Sequence, residues 1–186
     1  HGQVTKLGAT GRTAEVEKFC PQALMIIDTA LKWLVSQSNG TTEVNAVRAV
    51  RVSLLRIAGR VKDALPEAEQ LMADEPDNGS YIRMLALLSE QLALIEDASR
   101  NAATLDRAEA LWSKLLEDGR LRETAPAVYW EARYQWLAHQ LRHGRAADVI
   151  KAVEAERAWF PELGGPPWQG RLMELVEKAR AGTKGP

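Results

Sequence analysis

The chain has 186 residues, of which 46% are hydrophobic and 26% are charged, and its formal net charge is −1. This balance is ordinary for a globular protein, so we do not expect disorder over most of the chain. A net charge near zero builds no large electrostatic field, which disfavours a general nucleic-acid binder. No apolar run approaches the ~18 residues that a membrane-spanning helix needs, so we expect no membrane insertion.

Cysteine usage limits the chemistry further. Cys20 is the only cysteine, which excludes an internal disulfide and a cysteine-rich zinc site. We interpret it as a small buried apolar side chain. The localisation is unknown, with the cytoplasm slightly favoured by the lone cysteine. Because the chain begins at His1 without a methionine, we expect a fragment, a processed form or a tagged chain.

The N-terminal part divides into an arm and a helical segment. Residues 1–12 contain three glycines and no apolar period, which predicts a flexible arm. Residues 13–43 are predicted to be a helical segment that Pro21 divides, since proline inside a helix removes a hydrogen bond and clashes with the preceding turn. Apolar residues then recur at helical spacing before the break at Gly40: Leu24, Ile27, Leu31, Leu34 and Val35.

Helix-period patterns continue along the rest of the chain. Breaks are predicted at Gly59, at Pro76, at Gly144, at Phe160-Pro161 and at residues 164–167. Asp106 and Glu109 are predicted to cap a helix that carries Trp112. No segment alternates with period two, so no β-sheet is expected. The last helix is predicted from the apolar positions Trp168, Leu172, Leu175, Val176 and Ala179.

Two pairs of breaks repeat at one interval. Gly59 and Gly144 are 85 residues apart, and so are Pro76 and Pro161. Gly59 precedes Pro76 by 17 residues, as Gly144 precedes Pro161. The stretch from Gly59 through Ala64 to Pro76 resembles the second half of the tetratricopeptide repeat motif. The positions that match the first helix of the next such repeat are Ile82, Leu85, Ala86 and Ser89.

This resemblance implies an all-α fold, an α/α superhelix of about three degenerate helix-turn-helix repeats. The repeats would span residues 44–161, divided at about 44–78, 79–125 and 126–161, and a capping helix would cover residues 166–181. The middle unit departs from the family pattern, with about ten extra residues near Leu94–Thr104 and about seven between Glu117 and His143. Arg51 also stands where the first unit should have a small residue.

An irregular α-helical bundle is the alternative fold. The helix around Trp130 argues against it, because apolar residues lie on two of its faces, as expected of an inner helix sandwiched between neighbours. One face carries Trp130, Tyr134, Leu137 and Leu141, and the other carries Val128, Tyr129, Ala132 and Trp136.

The resemblance implies a non-catalytic scaffold that binds a protein or peptide on the concave face of its first helices. The groove positions that it implies are Arg48, Val52, Arg56, Arg83, Leu87, Glu90, Glu131 and Gln135. The alternative function is a structural or self-assembly module of a larger protein, which could form a homo-oligomer. The identity of the protein partner, and its pathway, are not readable from the sequence.

Catalytic, cofactor and metal sites are not indicated. No residues form a nucleophile–base pair, a phosphate-binding loop or a dinucleotide fingerprint. His139 and His143 are spaced i, i+4 on a predicted helix and could together bind a metal, but no third ligand is indicated, so we expect ordinary histidines. We expect no enzyme and no cofactor, with a metal protein or enzyme as the least favoured reading.

The six tryptophans are divided between core and surface. Trp33, Trp112, Trp130 and Trp136 fall on helical apolar stripes, which predicts burial. Trp159 and Trp168 flank the Gly-Pro break and are expected to pack against each other or against the last repeat, with exposure to a partner as the alternative.

Overall fold

The computed structural model of the chain describes the backbone of residues 2–37 and 40–182, and the side chains of 19–37, 40–97 and 101–182. All regular elements among these residues are α-helices, which confirms the all-α prediction. The chain divides into two compact units, His1–Asn101 and Ala102–Pro186. The division falls inside the second predicted repeat, and each unit is described below by itself.

The first unit contains four helices in sequence: α1 (Gly2–Ser36), α2 (Thr41–Ile57), α3 (Val61–Asp74) and α4 (Gly79–Ile95). Each of these helices packs on the next one along the chain. Asn78 caps α4, because its side chain accepts a hydrogen bond from the backbone N–H of Ser80. The core of this unit is aliphatic, with fully buried Val52, Leu55, Leu71, Leu85 and Leu88.

Two predictions about the N-terminal segment are wrong. The backbone from Gly2 onward belongs to α1, so residues 2–12 are helical where a flexible arm was predicted. Pro21 lies inside the same helix and does not divide it. A proline removes one backbone hydrogen bond from a helix, and in α1 the 15 residues that follow it remain helical despite that loss.

The second unit holds most of α5 (Ala98–Leu116), followed by α6 (Leu121–Thr124), α7 (Pro126–Arg142), α8 (Ala146–Trp159) and α9 (Trp168–Gly182). Asp106 and Glu109 lie in the middle of α5, so the prediction that they cap this helix is wrong. The extra residues near Leu94–Thr104 form the end of α4 and the start of α5, rather than a long loop.

The predicted capping helix corresponds to α9, which packs on both α7 and α8. Four of its apolar side chains are buried, namely Leu172, Leu175, Val176 and Ala179. They join a hydrophobic core with Trp130 and Leu137 of α7, and with Val149 and Val153 of α8. The stripe read from the sequence therefore marks the buried face of this helix.

The same helical hairpin occurs once in each unit. The hairpins α2–α3 and α7–α8 both join a helix of 17 residues to one of 14, and they begin 85 residues apart. In the first turn the Arg60 N–H donates to the carbonyl of Leu55, and in the second the Arg145 N–H donates to that of Gln140. The 85-residue repeat of glycine and proline thus corresponds to a repeated three-dimensional turn.

Candidate functional site

A cleft in the second unit lies where α8 ends, and its volume is about 560 Å³. Its residues come from α6, from the first turns of α7, from the last residue of α8 and from the segment that follows α8. They are Arg122, Glu123, Pro126, Trp130, Trp159, Phe160, Pro161, Glu162, Leu163 and Gly164. The lining combines aromatic rings and prolines with one basic and two acidic side chains.

The aromatic groups of this cleft have different surroundings. Trp130 is buried and meets Phe160 edge to face, with ring centroids 6.3 Å apart. The Arg122 guanidinium lies over the Phe160 ring, 4.1 Å from its centroid. Trp159, by contrast, is 82% exposed. The cleft therefore has an aromatic wall that is well packed and a tryptophan at its edge that the rest of the unit does not cover.

The turn after α8 brings the backbone directly onto Trp130. Leu163, Gly164 and Gly165 all have positive φ angles, of 45°, 84° and 69°. A Cβ atom built on Gly164 would overlap the indole ring of Trp130, so only glycine fits there. The N–H of Leu163 donates to the carbonyl of Phe160 at 2.9 Å, which closes the turn. The wall of the cleft therefore depends on a close approach of the backbone to Trp130 that only glycine allows at position 164.

Tyr129 lies beside Trp130, with ring centroids 5.2 Å apart. Burial, and next the neighbouring carboxylate of Glu156, raise the pKa of its hydroxyl, so the hydroxyl stays protonated at neutral pH. It donates a hydrogen bond of 3.3 Å to Oε1 of Glu156 on α8. This contact joins the first turn of α7 to the end of α8 and helps to hold the wall of the cleft in place.

A second cleft, of about 570 Å³, lies in the first unit among α1, α2 and α3. Arg51 is its central charged group, with Nε 2.6 Å from Asp28 on α1 and one terminal nitrogen 2.7 Å from Glu67 on α3. The arginine that departs from the repeat pattern therefore joins three helices. Arg48 and Lys32 also line this cleft.

The predicted groove residues have mixed surroundings. Val52 is 0% exposed, so the prediction that it contacts a partner is wrong, because the core of the first unit encloses it. The other seven are half-buried, with Arg48 and Arg56 on α2, Arg83, Leu87 and Glu90 on α4, and Glu131 and Gln135 on α7. Of these eight residues, Arg48 alone lines either cleft described above.

His139 of α7 and His143, the residue that follows α7, do not share a site. His139 is buried, whereas His143 is partly exposed and faces carboxylates of α5. Its Nε2 lies 2.8 Å from Glu109 and 3.6 Å from Asp106. Both carboxylates belong to α5, so the spacing of the two histidines along their own helix gave no sign of them.

The tryptophan predictions have divided outcomes. Trp112 and Trp130 are buried as predicted, and Trp136 is half-buried. Trp33 is exposed on α1, against the prediction. Trp168 packs near Tyr134, with ring centroids 6.2 Å apart, while Trp159 is exposed. The sequence signal for Trp159 was its position at the break, but nothing local indicated that Arg122 lines the same cleft.

Comparisons with protein-family models, curated proteins and solved structures return no match to this chain. Among the helices of residues 2–37 and 40–182, none is both long enough and apolar enough to cross a membrane.

Proposed function

We propose that this chain is a non-catalytic module that binds an extended segment of another protein, and that its two matching hairpins are degenerate tetratricopeptide-like repeats. The observation that carries the proposal is Trp159, which is 82% exposed at the edge of the aromatic cleft. Tryptophan is on average a well-buried residue. An exposed tryptophan beside a preformed cleft is typical of a binding hot spot, where the indole is covered by the partner.

The lining of the cleft favours a peptide as the occupant. The volume of the cleft falls within the roughly 300–1,000 Å³ of ordinary ligand sites. Pro126, Pro161 and the aromatic rings offer an apolar surface to a large aliphatic or aromatic side chain. The Arg122 guanidinium lies over the Phe160 ring, and an arginine in such a position can also donate hydrogen bonds to a carbonyl or carboxylate of a bound segment.

The same lining does not favour catalysis. Its charged groups are Arg122, Glu123 and Glu162, and the cleft residues include no histidine, cysteine or serine that could act as a nucleophile or a base near neutral pH. A binding role uses the apolar wall of the cleft directly.

Peptide display against the full chain tests the proposal. Sequences selected from a random library should carry a large apolar residue, and their affinity should fall at least about tenfold in Trp159→Ala, as expected for a hot-spot residue. Leu94→Ala is the control, because it truncates another exposed large apolar side chain, on α4 of the first unit. Selected peptides that bind Trp159→Ala as well as the unchanged chain would contradict the cleft assignment.

The same peptides distinguish the cleft from the groove on the first helices. Arg56→Glu combined with Arg83→Glu reverses two charges of the predicted groove and leaves the cleft unchanged. Loss of binding in this pair, with full binding in Trp159→Ala, would move the binding surface to the groove.

Self-assembly is the second candidate function, and α1 provides its observation. Phe19, Ile26 and Trp33 are spaced by seven residues and are 55%, 64% and 61% exposed. Strict seven-residue spacing of apolar side chains is typical of a helix that pairs with another helix. Asp28 and Lys32 are the charged residues of segment 19–37, and Asp28 is paired with Arg51, so two copies meet without strong like-charge repulsion.

Light scattering at several concentrations tests this second candidate. A defined dimer that Ile26→Lys with Trp33→Lys converts to a folded monomer would support pairing through α1. A monomer at all concentrations would rule it out, without bearing on the peptide cleft of the second unit.

A further inference from the structure

Three potential metal ligands of the second unit converge at one point. The carboxylates of Asp106 and Glu109 and the imidazole of His143 each bring a ligand atom to within 4.8 Å of the other two. Asp106 and Glu109 are three residues apart on α5 and so share one face of that helix, while His143 follows the last residue of α7. The cluster therefore joins two helices of the same unit.

A buried amide holds one of these carboxylates in position. The side chain of Gln140 is buried, and its Nε2 donates to Oε1 of Glu109 at 2.5 Å. Arg145 donates in turn to the amide oxygen of Gln140 at 2.6 Å. The second oxygen of Glu109 consequently points at His143 Nε2, 2.8 Å away. Metal-binding carboxylates are commonly oriented by partners of this kind.

The other hairpin shows that this polar residue is not required by the fold. Gln140 of α7 lies 85 positions after Leu55 of α2, and both are buried at the same place before the turn. Leu55 fills its position with an apolar side chain, whereas Gln140 brings a polar amide into the core and uses it on Glu109. The presence of Gln140 where the other hairpin has Leu55 is thus a second observation in favour of a site, separate from the distances among the three ligands.

We propose that Asp106, Glu109 and His143 bind a divalent transition-metal ion, with Zn²⁺ as the representative case. Zinc accepts nitrogen and oxygen ligands at about 2.0–2.2 Å in tetrahedral geometry, which places neighbouring ligand atoms about 3.3 Å apart. The separations from His143 Nε2, 2.8 Å to Glu109 and 3.6 Å to Asp106, lie on either side of that value. Three protein ligands leave a fourth position for water.

The donor set also selects the class of metal. One imidazole with two carboxylates suits zinc and its first-row neighbours, whereas calcium prefers six to eight oxygen ligands. Two carboxylates and a neutral imidazole carry a charge of −2, which balances a divalent cation. Bound metal would tie the middle of α5 to the end of α7, so it would stabilise the second unit rather than catalyse a reaction at the aromatic cleft.

Isothermal titration of the full chain with zinc chloride tests this site. His1→Ala serves as the background, because it removes the terminal imidazole from the competition for metal. We expect one Zn²⁺ per chain, at least tenfold weaker binding in Glu109→Gln and in His143→Gln, and unchanged binding in Glu174→Gln. Glu174 is a suitable control, since it is an exposed carboxylate on α9 that pairs with Lys178.

A second variant tests the positioning role of Gln140. Gln140→Leu reproduces the residue of the other hairpin, so the unit should fold, and it should weaken zinc binding about 10- to 100-fold by releasing Glu109. X-ray absorption of the zinc-loaded chain should show nitrogen and oxygen ligands at about 2.0–2.2 Å. Failure of the background chain to bind one Zn²⁺, or equal binding in the Glu109 and His143 variants, would overturn the proposal and leave an ordinary ion pair.

Discussion

Gly59 and Gly144 are separated by 85 residues and have nearly the same backbone conformation, with φ angles of +73° and +76°. Each follows a helix of 17 residues and precedes one of 14 residues. In both turns the glycine N–H donates to the carbonyl three residues earlier, Arg56 in one case and Leu141 in the other. A positive φ favours glycine because a Cβ atom would lie too close to the backbone.

Replacing either turn glycine by alanine should destabilise the chain by about 1–2 kcal/mol, the usual cost of a left-handed conformation for a residue with a Cβ. Apart from the glycine and its two chain neighbours, no atom lies within 4 Å of a Cβ added at Gly59 or at Gly144, so this cost should come from the local backbone alone. Urea denaturation of Gly59→Ala and Gly144→Ala measures it.

Two further variants control this prediction. Asparagine tolerates the left-handed region better, so Gly59→Asn should lose less stability than Gly59→Ala. Gly170→Ala lies in α9 with open space around it, and it should leave stability equal or slightly higher. Equal losses at Gly59 and Gly170 would show that the positive φ carries no cost.

Removing the guanidinium of Arg51 should destabilise the first unit by about 1–3 kcal/mol. Arg51→Met keeps the aliphatic stem but leaves Glu67, whose side chain is 18% exposed, without its cation. Thermal and urea unfolding of the variant measure the loss. The double variant with Glu67→Met should recover part of it, because it removes the uncompensated carboxylate as well.

The exposed pair between Arg60 and Asp63 is the comparison for Arg51, since both of its side chains are about half exposed. Asp63→Asn should change the free energy of unfolding by less than about 0.5 kcal/mol. Similar effects for both pairs would mean that the position of Arg51 among three helices adds nothing to an ordinary surface ion pair.

Trp130 and Trp159 should respond to alanine in opposite ways, although both belong to the aromatic cleft. Trp130→Ala should cost about 3–5 kcal/mol, because the ring is buried in the core under the backbone of Gly164. Trp159→Ala should change stability by less than about 0.5 kcal/mol, since most of its surface already faces solvent. Calorimetry compares the two, and a large loss in Trp159→Ala would show that this side chain supports the fold.

Truncating buried side chains of α9 should destabilise the second unit. Leu172 is fully buried against α7 and α8, so Leu172→Ala should cost about 2–5 kcal/mol. Leu94→Ala is the control, because Leu94 is exposed near the end of α4. Denaturant titration followed by circular dichroism distinguishes them, and an unchanged midpoint for Leu172→Ala would mean that α9 is not docked in solution.

Local chemistry in the sequence was enough to determine the class of fold and the positions of most turns. Gly59, Pro76 and Gly144 act on the backbone within a few residues, so their effect is readable without knowing any distant neighbour. The apolar period of 3.6 residues is equally local, and it identified the helices and the buried stripe of α9. Pro21 and residues 2–12 are exceptions, since one long helix includes them both.

Only the tertiary structure decided which apolar and charged side chains are covered. Val52 was predicted to face a partner and Trp33 to be buried, yet the first unit encloses Val52 and leaves Trp33 exposed to solvent. Periodicity shows which residues share a face of a helix, but it does not show whether another element packs against that face.

The aromatic cleft and the cluster of Asp106, Glu109 and His143 could not be predicted from periodicity either. Glu109 and His143 are separated by 34 positions, and their contact depends on how α5 and α7 pack. Arg122 lies on the short helix α6 and Phe160 lies in the turn after α8, so their contact depends on how these two segments pack. Such contacts arise from the packing of residues that are distant in the sequence, and the spacing of residues does not reveal that packing. The clefts and the cluster of metal ligands therefore form only when the helices pack together.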